Sequence, residues 1–350
     1  MDINEDSFTY AMQLVTNIAL PMVLSNVVQL KVLDVIAHAG PNARLSAHEI
    51  VSRLSISNPD APAKLDRMLR LLASYSILTC IQSDHQSKCV RLYGLAPVAK
   101  HFIPNEDGVS LCALLELYQI DKSNIDTWFK LKDSTREGGN AVEKVHGMDG
   151  FDILGLDARL NELFNKAMVD TSTMVMKKIL ECYHGFNNLK RVVDVGGGLG
   201  VTLNMIISKH PTIHGINFDL PHVIQHAPLY AGIEHVEGDM FQNVPHGDGI
   251  FLKVLHSQSD EDCVKLLKNC YKALQDGGKV IVVETIVPFI PDASSSTKAA
   301  THLDVTMMSQ TIGGKERTED QFLSLAKEAR FDGMRKVCFV CNNLVMEFYK

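Results

Sequence analysis

From Lys190 onward, short β-branched runs alternate with stretches of helical periodicity: Arg191 to Val195, His214 to Phe218, Ile233 to Glu237, Gly249 to Leu255 and Lys279 to Glu284. Strands buried on both faces and joined by crossover helices give this pattern, so the half is restricted to the α/β class, with a doubly wound, mostly parallel, Rossmann-like sheet. A last pair, Met334 to Cys341 and Leu344 to Tyr349 around Asn342-Asn343, predicts a hairpin on the sheet edge.

Upstream the pattern is mainly helical. Residues 11–39 place Leu14, Ile18, Met22 and Leu24 near one face and resume with Val28, Leu30, Leu33 and Ile36, which reads as two helices broken near Pro21. Ser46 and Glu49 form a capping box, Leu65, Met68, Leu69 and Leu72 share a helical face, and residues 77–81 and 90–95 read as a hairpin. Helix, helix, hairpin is the winged-helix order. The second helix offers only Lys64, Arg67 and Arg70 among apolar neighbours, so it reads as scaffold or dimer surface rather than as a DNA reader. The boundary between the halves is set at 185/186.

Composition removes other classes. The 34 Lys and Arg against 41 Asp and Glu give a net charge of -7, which disfavours binding driven by phosphate neutralisation. The acidic start and the lack of any apolar run near the roughly 20 residues of a bilayer span lead us to expect a soluble, cytoplasmic protein away from membranes. The eight Cys are dispersed, and the close pair Cys338/Cys341 lacks a matching ligand cluster, so free buried thiols are expected rather than zinc or disulfides.

Asp194-Val-Gly196-Gly-Gly198-Leu-Gly200 lies between the first strand and the helical run Leu203 to Ser208. Glycine lets a ligand lie against the backbone at positive φ. A dinucleotide fingerprint is G-x-G-x-x-G, whereas Val201 stands where the third glycine belongs, which favours a nucleoside without a pyrophosphate. Asp219 ends the second strand, where a carboxylate can accept ribose hydroxyls, and Asp239-Met240 follows the third, where an acceptor and an apolar side chain suit adenine. His256 follows the fourth strand, Glu284 ends the fifth, and Glu316 lies in the loop 313–318. A His flanked by two carboxylates is a natural general base, because they fix its tautomer and support the imidazolium.

These stretches identify the chain as similar to plant S-adenosylmethionine-dependent O-methyltransferases of the caffeate/catechol type. The resemblance runs through LPMVL at 20–24, NPDAP at 58–62, LDRMLRLLASYSILTC at 65–80, VDVGGG at 193–198, INFDLPHVI at 216–224, GDMF at 238–241 and GGKERT at 313–318. It implies a helical dimerisation and substrate-pocket domain over 1–185, a catalytic domain over 186–350, and a homodimer, with a heterodimer as the alternative. It further implies that Gly196, Asp219, Asp239, Met240 and Lys253 hold S-adenosyl-L-methionine, that His256 is the base beside Glu284 and Glu316, that Met168 and Met307 grip the acceptor ring and that Phe164 lines the wall. No metal is implied.

The chain departs from that family in two places. The family's K-W-(I/V)-x-H-D-W-S-D reads Lys253-Val-Leu-His256-Ser-Gln-Ser259-Asp here. One residue is missing before the His, which in a strand would reverse side-chain direction unless a bulge or loop absorbs it. At the acceptor pocket Gly150, Leu154, Leu160, Thr171 and Thr311 replace the alanine, histidine, phenylalanine, histidine and asparagine usual in caffeate-type enzymes. Fewer donors and a wider pocket predict a larger phenolic acceptor, an alkaloid phenol such as an isoquinoline ahead of a flavonoid or a phenylpropanoid. The rival expectations are methylation of an aryl or alkaloid amine, and a low-activity partner subunit of a heterodimeric methyltransferase.

Overall fold

The structure is a computed structural model and describes residues 3–85 and 88–350. The chain forms two compact units, Met1–Lys122 and Ser123–Lys350.

The first unit carries helices α1 (Ile3–Thr16), α2 (Ala19–Gln29), α3 (Val32–His38), α4 (Ala47–Arg53) and α5 (Ala61–Ser74), the antiparallel hairpin β1 (Leu78–His85) and β2 (Lys88–Leu95), and α6 (Cys112–Gln119). The first break falls at Asn17-Ile18 rather than near Pro21. Pro21 sits in the first turn of α2, where a missing N–H costs no helical bond. The Ser46/Glu49 capping box forms at the start of α4. Val27, Val32, Leu33, Ile50, Leu69, Leu72 and Tyr93 make the core. The Tyr93 hydroxyl donates to Asp66 Oδ1 at 2.7 Å and Arg91 pairs with the same carboxylate, fastening the hairpin to α5. Along α1, Phe8, Tyr10, Leu14 and Val15 stay exposed. No single helix among the described residues is long and apolar enough to cross a bilayer, although α1 and α2, bent by 48°, pass on length and composition as a pair.

The second unit begins with α7 (Lys122–Trp128), α8 (Leu131–Glu137), α9 (Ala141–His146), α10 (Gly150–Leu156) and the long α11 (Ala158–Cys182). The unit boundary therefore lies about 60 residues before the expected 185/186. Packing is the reason: α11 puts Val175, Met176, Ile179 and Leu180 into one core with Val192, Phe251, Ile281 and Val345 of the sheet. Helical periodicity alone could not say which unit buries that face.

Beyond α11, the strands are β3 (Arg191–Val195), β4 (His214–Asp219), β5 (Ile233–Glu237), β6 (Gly247–Leu252), β7 (Leu274–Thr285), β8 (Gly333–Val340) and β9 (Asn343–Tyr349). The helices between them are α12 (Val201–Lys209), α13 (Pro221–Ile224), α14 (Asp260–Ala273), α15 (Ser295–Gln310) and α16 (Glu319–Glu328). The sheet order is β5-β4-β3-β6-β7-β9-β8, with β3 to β7 parallel and β9 antiparallel to both its neighbours. The expected terminal hairpin forms, but its second strand enters the sheet beside β7 and leaves β8 as the edge. The order reverses between β3 and β6, and in such sheets ligands sit beyond the carboxyl ends at that point.

Candidate active site

The turn after β3 places Gly196, Gly198 and Gly200 at φ +68°, +59° and +81°. Gly196 is crowded, since a Cβ there would lie 2.7 Å from Val254 Cγ1, while a Cβ on Gly198 would meet nothing within 4 Å. Asp219, closing β4, accepts the Gly198 amide on Oδ2 and the Leu220 amide on Oδ1, both at 2.7 Å. A carboxylate has about four lone-pair positions, so capacity remains for hydroxyl donors. Asp239 Oδ1 accepts the Phe241 amide at 2.8 Å, and Met240 is held by its carbonyl, which accepts from Asn269 at 3.0 Å.

Two buried groups behind this turn were not singled out in the sequence. Asp194 is 3% exposed and its Oδ2 lacks a hydrogen-bond partner; Asn217 is fully buried, donates to the Gly198 carbonyl at 2.9 Å, and its Oδ1 is likewise orphaned. Burial, reinforced by Asp219 and opposed by Lys253, pushes the Asp194 carboxyl up to about 7. Orphaned oxygens beneath a glycine turn that faces open space fit a polar, cationic ligand against the backbone. Their only sequence signal was position: Asp194 opens the glycine run and Asn217 lies two residues before Asp219.

β6 ends at Leu252, three residues before the β-branched run does, and its register with β7 is unbroken from Gly249↔Lys279 to Leu252↔Val282. The one register shift in this pairing falls earlier, between Gly247 and Gly249, so the strand end that leads to His256 is regular. Lys253 and Val254 lead into a single 3-10 turn, Leu255–Ser257, which carries His256. Its Nδ1 lies 2.9 Å from Glu316 Oε1, and one ligating atom each of His256, Glu284 and Glu316 falls within 4.8 Å of the other two. Glu284 Oε1 accepts the Leu255 amide at 2.6 Å, so one carboxylate holds the turn while the other holds the ring. Burial alone would lower the His256 pKa, but the charges of Glu284 and Glu316 and the bond to Glu316 outweigh it, and the net direction is upward. The Glu284 carboxyl is itself raised, chiefly by burial and also by Glu316.

Arg317, in sequence one more charged residue of the GGKERT stretch, is fully buried and grips this turn from both sides. Nη1 donates to the Leu255 carbonyl at 2.7 Å, Nη2 to the Gln258 carbonyl at 2.7 Å, and Nε to Asp260 Oδ1 at 2.8 Å. The Glu316 amide donates to Asp304 Oδ1 at 2.9 Å. Gly314 is wedged in the same loop: a Cβ there would lie 2.0 Å from Thr311 Oγ1 and 2.9 Å from the His256 carbonyl.

Of the proposed acceptor residues, Phe164, Met168 and Thr171 lie along one stripe of α11, and Phe151 of α10 packs edge-on against Phe164 with centroids 6.2 Å apart. Met307 and Thr311 lie at the end of α15, where the Thr311 hydroxyl donates back to the Met307 carbonyl at 2.8 Å. The Thr171 hydroxyl is buried without a partner. A Cβ on Gly150 would sit 2.6 Å from the Gln310 carbonyl, so the alanine usual there would force α10 away from α15. Lys253 follows β6 between the glycine turn and the His256 turn, and its charge acts on both Asp194 and His256. A shallow depression of about 450 Å³ between α11 and α12, lined by Lys177, Met205 and Lys209 among others, is a separate feature that includes none of these residues.

Comparison with known proteins gives two family matches: an O-methyltransferase domain over residues 128–332 and an O-methyltransferase dimerisation domain over residues 12–105. Caffeic acid 3-O-methyltransferase of Medicago sativa is 52% identical over 99% of this chain and 95% of its own length. O-methyltransferase 11 of Lophophora williamsii is 53% identical over 99% and 91%. Human N-acetylserotonin methyltransferase, solved in complex with SAM, superposes with a TM-score of 0.79 at 20% identity over 100% of this chain and 99% of that one, a likeness of fold.

Proposed function

Because the chain belongs to the O-methyltransferase family, we propose that it moves a methyl group from S-adenosyl-L-methionine to a phenolic hydroxyl, with His256 as the base. The observation that carries this is the imidazole at the switch point, held by one carboxylate and flanked by a second. When bound, S-adenosylmethionine supplies a methyl on a sulfonium that is already activated for displacement. Gly198, Asp219, Asp239 and Met240 line the place for its nucleoside, with Gly196 shaping the turn, and Asp194 and Lys253 set the local charge.

The chain's remaining work is alignment and proton removal. A phenol with a pKa of about 10 is a poor nucleophile at neutral pH, and an imidazole of ordinary pKa about 6.5 takes its proton as the new bond forms. Glu316 accepts from Nδ1–H and so leaves the lone pair on Nε2. Raising the His256 pKa strengthens the base and stabilises the imidazolium it becomes, at the cost of a smaller neutral fraction near pH 7. Phe164, Met168 and Met307 supply an apolar, adaptable grip for an aromatic ring, and Thr171 offers an unspent hydroxyl.

The acceptor we propose is a phenol larger than a free hydroxycinnamate, an alkaloid phenol ahead of a flavonoid. Thr311 spends its hydroxyl on its own helix, and the position usually occupied by a second histidine is Thr171. The working form is a homodimer in the cytoplasm. A low-activity partner subunit would follow from a misplaced His256, and the 2.9 Å bond to Glu316 speaks against it.

Incubation with methyl-labelled S-adenosylmethionine and a panel of catechols, flavonoids, isoquinoline phenols and their amines tests the reading. Label on a phenolic oxygen, with kcat lowered about 10²-fold or more in His256→Ala, is expected. Label found only on nitrogen, or an unaffected rate in the variant, overturns the base assignment.

A further inference from the structure

Cys338 and Cys341 stand out as the one close cysteine pair in the sequence, and nothing in the methyl-transfer reading uses them. The fold gives Cys338 a different partner. Cys182, 156 residues earlier, brings its Sγ to 3.1 Å from Cys338 Sγ. Cys182 is the last residue of α11 and is exposed; Cys338 lies on the edge strand β8, just past the register shift that follows Lys336, and is half-buried. Cys341 is exposed in the β8–β9 turn at φ +50°. The expectation of buried thiols is corrected here: of the eight cysteines only Cys263 and Cys270 are buried.

A disulfide bond is about 2.05 Å long, so these two sulfurs are about 1 Å from bonding distance, and the helix end and the edge strand that carry them already face each other. We propose that Cys182 and Cys338 form a modification site, an intrachain disulfide made by two-electron oxidants of the peroxide or small-molecule disulfide class. With peroxide, the Cys182 sulfur attacks one oxygen, the O–O bond breaks, and Cys182 sulfenic acid and one water result. The Cys338 sulfur then displaces the hydroxyl, the S–S bond forms, and the thiol proton leaves with that hydroxyl as a second water. Two thiols and one peroxide become one disulfide and two waters; with glutathione disulfide the products are one protein disulfide and two glutathione thiols.

The two sulfurs differ in access, and that assigns the order. Cys182 is open to solvent, whereas Cys338 is half-buried and its thiol is pushed upward by burial and by the neighbouring Cys182, so an oxidant meets Cys182 first and Cys338 resolves. Proximity compensates for its small thiolate fraction. The crosslink ties the end of α11, the helix that carries Phe164, Met168 and Thr171, to the sheet.

The test uses the full-length reduced protein, treated with glutathione disulfide or with hydrogen peroxide. Peptide mapping without reduction should find Cys182 joined to Cys338, with Tm raised by roughly 4–16 °C for a crosslink spanning a long loop, reversed by dithiothreitol. Cys182→Ser should abolish both the link and the rise, and Cys341→Ser should leave both intact. A Cys338–Cys341 or Cys182–Cys341 link, or glutathione adducts on Cys182 without any intrachain link, would overturn the proposal.

Discussion

Replacing Arg317 by Gln removes the group that fixes both ends of the His256 turn. The guanidinium is fully buried and makes two short bonds to carbonyls, Leu255 and Gln258, which bracket His256. A hydrogen bond to a charged group contributes about 1.5–3 kcal/mol, so losing these two costs about 3–6 kcal/mol. The bond to Asp260, whose side chain is 53% exposed, adds only about 0–1 kcal/mol after solvent screening. For a unit of this size, where each kcal/mol shifts Tm by about 2–4 °C, the expected fall is about 6–28 °C. Displacing a base by about 1 Å can cost about 10²-fold in rate, so kcat should drop by that order in the variant that still folds, with donor affinity near wild type. Differential scanning fluorimetry reads the first quantity; steady-state kinetics with calorimetry of donor binding read the second. Arg317→Lys keeps the charge and reaches one carbonyl, so it should fall between. The reasoning is wrong if Arg317→Gln keeps Tm within about 2 °C of wild type and full kcat, or if it loses donor affinity and rate together.

Glu316→Gln removes a charge that raises the His256 pKa and leaves only a weaker, neutral acceptor in its place. The acidic limb of the kcat/KM profile, which lies above pH 6.5 because the base must be neutral, should therefore move to lower pH, while the plateau rate falls as the base weakens; a limb that stays put would detach it from His256. Asp219→Ala should weaken donor binding at least about 10-fold in calorimetry before it changes kcat, since its carboxylate lies on the glycine turn. Asp194, raised to about 7, should make affinity for the cationic donor increase as pH rises from 6 to 8. That slope should vanish in Asp194→Asn, and a persistent slope would place its origin elsewhere.

The sequence by itself determined the fold class and the sheet edge at which the candidate residues gather. β-branched runs alternating with helical stretches admit a mainly parallel sheet and little else, and the glycine run, Asp219, Asp239, His256 and Glu284 follow successive strands, so one sheet edge had to gather them. What it left open was decided by packing over long separations. The unit boundary fell at 122 because the apolar face of α11 is buried by the sheet layer, a choice that periodicity cannot express. His256 is presented by a 3-10 turn beyond the paired end of β6, a local geometry that strand alternation cannot express. Arg317 looked like any charged loop residue, and Cys182 like any helix terminus. Their roles come from partners about 60 and about 150 residues away in sequence, brought close only when the tertiary fold supplies buried carbonyls for a guanidinium and a facing thiol.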